Sequence, residues 1–559
     1  MDLLRSLSLV LFVAFARPVV AGPAEDLLRV APPDAAFVFV VRDASTHVAN
    51  LRNSPFAESL ARTPLGQRVL ESPDLRKLRA AITFVSAQTD TPATSFLTDI
   101  LGQAIVFAMH PSPENDPRKE RAILLVRPAK PEVLDRFVER LNALQIANGE
   151  ITEVSARTHR GEGYSERRKS TGTSEFYASR RGTFAFTTSE DELRAFLERD
   201  RTVEKSTAFV DSISRLGVES AAVVLLLNPR ALDVEMAAKV AAGKPSEKAF
   251  LEWFATYWKK LDSAALYLRL DKNAELGLSL RARPGETLLG SSPPSALWSS
   301  IPEDALLACA GRQQLSELVN SIDAVLPPDG RRALRSVVEQ TLAPVIGKDK
   351  LPLVVDSVGP NWAFWFEGPR NEGVLPVAIF ALEVQSDGPK ATEAMRALLG
   401  AMQYLFQTIR VMHNARRMEQ IDFVEETQGD LLIRSLVGEK TFPPHVRPSF
   451  GLKDGYLLIA SNADAIRSFR KPIEKAEGGD VPLARFSVTA LRSYLRSKGA
   501  ALSAILAEQS GSTAANVERA LGEMSDSLEP FDRLELLTRT TGATQQLALR
   551  LTTSKPLKP

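Results

Sequence analysis

The feature that most constrains this chain is that its landmarks come twice. Pro33-Asp34-Ala35-Ala36-Phe37 opens one series, and Pro302-Glu303-Asp304-Ala305-Leu306 opens another about 270 residues later. Each leads into a short strand, over 37–41 and 306–310. A glycine then precedes an aromatic strand, at Gly102 before 103–107 and at Gly359 before 360–364. Polar loops at 113–121 and 368–373 follow, then strongly apolar strands at 122–126 and 376–382. These feed helices near 131–144 and 390–418. The closest match is a pair of hairpins, 177–187 turning at Arg181-Gly182 and 450–460 turning at Asp454-Gly455. Glycine there accepts positive φ at little cost. Each hairpin runs into a short helix with a polar cap, Ser189 in one series and Asn462 in the other. Each series closes on a strand pair, 264–270 with 275–282 and 533–539 with 545–552. Their alternation, as in Leu276-Gly277-Leu278-Ser279-Leu280, suits half-buried antiparallel strands.

These patterns predict an α+β fold in tandem duplication, each copy a mainly antiparallel sheet with helices packed on one face. The expected divisions are a signal peptide over 1–21, a first copy over 22–283, a Pro/Gly/Ser linker over 284–295, a second copy over 296–555 and a tail over 556–559.

The leader is read from Arg5, the apolar run 6–16 and the small residues before Gly22. The run is short for a bilayer span, which takes about 20 apolar residues. The expectation is an exported protein, periplasmic or extracellular, with no transmembrane span in the mature chain. Its 44% apolar and 25% charged residues suit a soluble globular protein. A net charge of +1 gives no bulk attraction for nucleic acid. The only cysteine, Cys309, sits in an apolar stretch and cannot form an internal disulfide.

The chain resembles an exported bacterial family known as domain of unknown function 3352. The resemblance rests on Pro32–Ala35, on Ser54-Pro55-Phe56-Ala57 and on Thr63-Pro64-Leu65-Gly66. The Gly102 strand, the Arg181-Gly182 hairpin and Ser206-Thr207-Ala208-Phe209 add to it. It implies export and repetition, and no activity or functional residue.

Catalytic chemistry leaves little trace. The five histidines, His47, His110, His159, His413 and His445, lie more than ten residues apart, and no HExxH or CxxC occurs. No Gly-x-Ser-x-Gly and no phosphate loop is present; Gln509-Ser510-Gly511-Ser512 reads as a polar loop before a helix. No catalytic residue, metal ligand or cofactor is assigned. Carboxylates distant in sequence can still meet in a cleft.

Three features carry binding hypotheses. Arg160, Arg167, Arg168, Lys169, Arg180 and Arg181 could form a basic patch for an anionic polymer or headgroup, diluted by Glu162 and Glu166. A solvated hairpin face is the plainer reading. Phe250, Trp253, Phe254, Tyr257, Trp258 and Leu261 share one helical face, which is either core or an apolar groove. Met395, Leu398, Leu399, Met402, Leu405, Phe406, Ile409 and Met412 form a long apolar stripe ending in His413, Arg416 and Arg417. It packs between the halves or docks a partner. The leading expectation is a non-enzymatic envelope scaffold or binding module, its partner an envelope protein or apolar ligand. The alternatives are a periplasmic carrier of apolar or lipid-like ligands and a hydrolase with a dispersed site.

Overall fold

The computed structural model describes residues 22–557, apart from 113–119, 203–205, 289–292, most of 315–356, 371, 385–390 and 474–478. The expected leader, much of the 113–121 loop and part of the 284–295 linker lie outside the described residues. The fold is α+β, and every strand pairing in it is antiparallel.

The chain divides into two compact units. One takes in residues up to 49 and 78–231; the other takes in 50–77 and 232–559. The first holds β1 (Phe37–Arg42), β2 (Ala104–His110), β3 (Arg121–Arg127), β4 (Ile151–His159), β5 (Glu162–Lys169), β6 (Ser174–Arg180), β7 (Thr183–Thr187) and β8 (Val223–Leu227). They pair in the order β8-β1-β2-β3-β7-β6-β5-β4. Val38, Val40, Val106, Ala108, Ile123 and Leu125 fill one face, each essentially buried. Leu27 and Leu28 of helix Pro23–Val30, and Leu193, Phe196 and Leu197 of helix Glu190–Arg201, are buried in the same unit. The second helix starts where Ser189 accepts the Glu192 amide. Its acidic first turn and its last-turn Arg199 and Arg201 both suit the helix dipole. The β6–β7 turn has φ of 47° at Arg181 and 73° at Gly182, as a type I′ turn requires.

The second unit holds β9 (Leu261–Leu270), β10 (Ala274–Ala282), β11 (Leu307–Arg312), β12 (Val358–Glu367), β13 (Val377–Val384), β14 (Asp422–Gln428), β15 (Leu431–Val437), β16 (Ser449–Lys453), β17 (Tyr456–Ala460), β18 (Val481–Ser487), β19 (Phe531–Thr541) and β20 (Thr544–Thr553). Their order is β9-β10-β20-β19-β18-β11-β12-β13-β17-β16-β15-β14. The β9–β10 hairpin, grouped by sequence with the first copy, is thus built into this unit through β20. Pairing with β20 satisfies the edge that β10 would otherwise leave open.

Helices pack on both faces of this sheet, not on one as expected. Ile379, Ala381, Leu458 and Ala460 join Ala463, Ala465 and Ile466 of helix Ala463–Ser468 in one core. The residues that alternate with them, Leu382, Leu457 and Ile459, join Met395, Leu398, Leu399, Met402 and Phe406 of helix Ala391–Arg416 in another. The cause is compositional: β13 and β17 are apolar at nearly every position, so both of their faces need cover.

Candidate functional site

The second unit departs from ordinary burial where the two terminal hairpins meet. On β10, Glu275 lies opposite Arg269 of β9 and Arg550 of β20. Its carboxylate accepts from Arg269 at 2.8 Å, from Arg539 at 3.0 Å through each terminal nitrogen, from Arg550 at 3.1 Å and from the Tyr267 hydroxyl at 3.0 Å. Asp480 bridges Arg539 and Arg550 from the other side. Gly277, opposite Tyr267, leaves room for the ring to lie across its strand. A Cβ there would come within 2.3 Å of the ring.

Electrostatics follow from this packing. Burial pushes the Glu275 carboxyl up, but the hydrogen bonds and charge of Arg539, with Tyr267 and Arg550, outweigh it and lower it to about 2. Burial and the Glu275 carboxylate together raise the Tyr267 phenol to about 12. Hydrogen bonding to Arg539 likewise holds Asp480 below its ordinary value. Neither carboxylate is poised to exchange protons near neutral pH, as a general acid or base must. The cluster acts as a clamp across four strands.

The opposite face of the same strands is leucine. Leu268, Leu276, Leu549 and Leu536 form one cross-strand row; Leu266, Leu278 and Leu547 form the next. The first row continues through Ala484 and Cys309 to Phe364. Glu275 is 6% exposed, whereas Leu266, Leu276, Leu547 and Leu549 are 49%, 53%, 42% and 41% exposed. Fully burying a leucine is worth about 1.5–3 kcal/mol. Four adjoining leucines therefore leave several kcal/mol of burial unrealised in the isolated chain. A contiguous apolar face of this kind is the sort of surface that interaction sites present.

The first unit carries a smaller face of the same type. Leu225, Phe39 and Phe107 stand in one row across β8, β1 and β2, each partly exposed. Leu227, Phe37 and Met109 flank that row on one side, and Val223, Val41 and Ile105 on the other. The row runs on to Leu124 of β3, where helix Pro131–Ala147 covers it.

The residues flagged by sequence fall as follows. Each member of the basic patch meets an acid: Arg160 meets Glu198 at 3.3 Å, Arg167 meets Glu175 at 3.2 Å and Arg168 meets Glu166 at 3.5 Å. Lys169 pairs with Glu175, Arg180 with Glu162 and Asp200, and Arg181 lies 3.8 Å from Asp200. The charges compensate one another along the hairpins and do not accumulate. The aromatic residues sit on helix Pro245–Lys260 as a ladder, with Trp253 and Tyr257 centroids 4.7 Å apart. Trp258 is buried and donates to Asp233 at 3.0 Å; Trp253, Phe254 and Tyr257 are partly exposed and Phe250 is exposed. Leu261 begins β9. Ser510 ends helix Val488–Ser510, with Gly511 as its left-handed cap.

Among the described residues, no group of three or more His, Cys, Asp or Glu is placed to hold a metal ion. None of their helices is long and apolar enough to cross a membrane. No family model, curated protein or solved structure matches the chain.

Proposed function

We propose that this chain is an exported, non-enzymatic binding module that takes an aliphatic, lipid-like ligand onto the leucine face of β9, β10 and β20. The observation that carries this reading is the exposure of Leu266, Leu276, Leu547 and Leu549 on strands whose charged side chains are turned inward. The face offers methyl groups and no charge, which suits alkyl chains better than polar or aromatic ligands. The arginine-bound state of Glu275 and Asp480 favours a structural role for the acids over a hydrolytic one.

Mass spectrometry of the natively purified chain, with lipid extraction, tests the reading. The expected result is a copurifying aliphatic species and saturable uptake of a fluorescent fatty acid. Leu276→Ser combined with Leu549→Ser should remove both. Recovering no such species, with no saturable uptake, overturns it.

Two further readings belong to the same proposal. Tandem duplication is supported by strand order: β4-β5-β6-β7-β3-β2-β1-β8 repeats strand for strand as β14-β15-β16-β17-β13-β12-β11-β18. Export rests on the sequence over 1–21 and on the family resemblance. A mature chain beginning at Gly22, found by N-terminal sequencing of the exported protein, is its test.

A further inference from the structure

Helix Ala391–Arg416 keeps one side in the core as far as Phe406 and exposes a run of apolar residues from Tyr404 to Met412. Met395, Leu398, Leu399 and Met402 pack into the core with Phe406. On either side of Phe406 other apolar residues are open: Tyr404, Leu405, Ile409, Val411 and Met412 are all exposed, as is Met418 just past the helix end. At 100° per residue, Leu405, Ile409 and Met412 lie within about 60° of one another, and Tyr404 and Val411 stand about 80–100° further round from Met412, away from Ile409.

The charge along this stretch has one sign. Between Glu393 and Glu419 there is no acidic residue, while Arg396, Arg410, Arg416 and Arg417 are present. None of these four arginines forms an ion pair with a described residue. Of the acids that follow, Glu425 is held by Arg434 at 2.9 Å and Glu426 by Arg467, while Glu419 and Asp422 form no ion pair with a described residue and dilute the positive charge at the helix end. An exposed apolar stripe bordered by arginines with no ion-pair partner among the described residues is the make-up of a helix that lies in the headgroup layer of a bilayer. A protein surface would need acids opposite the arginines and a shaped apolar pocket. An anionic lipid surface supplies both charge and hydrocarbon without matching shape.

We infer that the second half of this helix docks the protein onto an anionic membrane surface. The stripe enters the acyl boundary, and Arg410, Arg416 and Arg417 engage lipid phosphates. This site is distinct from the leucine face: it is helical, it is basic at its margin, and it binds a surface and not a single ligand.

The experiment is co-sedimentation of the full mature chain with vesicles of phosphatidylcholine alone or mixed with phosphatidylglycerol. Binding should occur with the anionic vesicles only and weaken in 1 M salt, where screening shrinks to about 3 Å. Arg416→Gln with Arg417→Gln should lower partitioning roughly 25-fold, since each arginine near the surface is worth about fivefold. Leu405→Ser with Met412→Ser should abolish it. Both pairs are solvent-facing or half exposed, and circular dichroism verifies that each variant is folded. Leu276→Ser with Leu549→Ser should leave sedimentation unchanged, which separates this inference from the ligand reading. The inference is overturned if neither vesicle binds or if the arginine variant binds as the wild type does. It is equally overturned if the wild type is a dimer that Leu405→Ser with Met412→Ser renders monomeric.

Discussion

Glu275 and Leu276 are consecutive on one strand and are buried in the reverse of the usual sense: the carboxylate is enclosed and the leucine is open to solvent. Enclosing a charge is costly unless it is paired and hydrogen-bonded. Here three arginines and a tyrosine provide that pairing, which frees the opposite face to be apolar.

Breaking the clamp should be expensive and pH-dependent. Glu275→Gln should cost about 3 kcal/mol at neutral pH by leaving buried arginines undercompensated. The folded-state value of Glu275 is about 2 against an ordinary 4.5, so its contribution is complete above pH 4.5 and disappears as pH falls toward 2. Urea titrations across that window should show wild-type stability falling on the order of 2–3 kcal/mol more than the variant's. Parallel curves would contradict the assignment.

Gly277→Val should displace the Tyr267 ring that now lies against this glycine. Overpacking of this kind costs about 1–3 kcal/mol. Tyr267→Phe loses only the hydroxyl bond to Glu275 and should cost about 1 kcal/mol or somewhat more. In the glycine variant the Tyr267 phenol should also titrate below about 12, followed by ultraviolet absorbance.

The leucines should be cheap to remove. Leu276→Ser should change unfolding free energy by about 1 kcal/mol or less, as at other half-exposed positions. Leu458→Ala, at a fully buried position in the same unit, should cost about 2–5 kcal/mol. Equal losses in denaturant titration would show that the leucine face is part of the core.

Cys309 stands in the leucine row between Ala484 and Phe364, and burial raises its thiol above the ordinary value. Ellman's reagent should therefore react slowly with the native chain at pH 8 and rapidly once urea unfolds it. Equal rates would place the thiol in open solvent.

Much of the local structure was legible in sequence because it is set by local chemistry. Arg181-Gly182 and Asp454-Gly455 form the turns, and Ser189 and Asn462 cap the helices, as their residue types demand. The alternation in 274–282 identified a strand with two unlike faces. It did not say which face goes inward, because period carries no sign. Hydropathy alone would bury Leu276. The arginines that reverse the choice, Arg539 and Arg550, lie 264 and 275 residues from Glu275. The helix Ala391–Arg416 posed the same difficulty: its stripe is continuous in sequence, but core cover ends at Phe406 and leaves Leu405, Ile409 and Met412 exposed.

The pairing of β10 with β20 also governs how the polypeptide must be made. A strand completed at residue 282 has no neighbour on one side until residues 544–553 have been synthesised. Such distant closure slows folding and leaves a sticky edge exposed meanwhile. A nascent chain would carry that edge, with its leucines, through the whole interval. Guarding it from other chains is a task that falls to the cell and not to the fold.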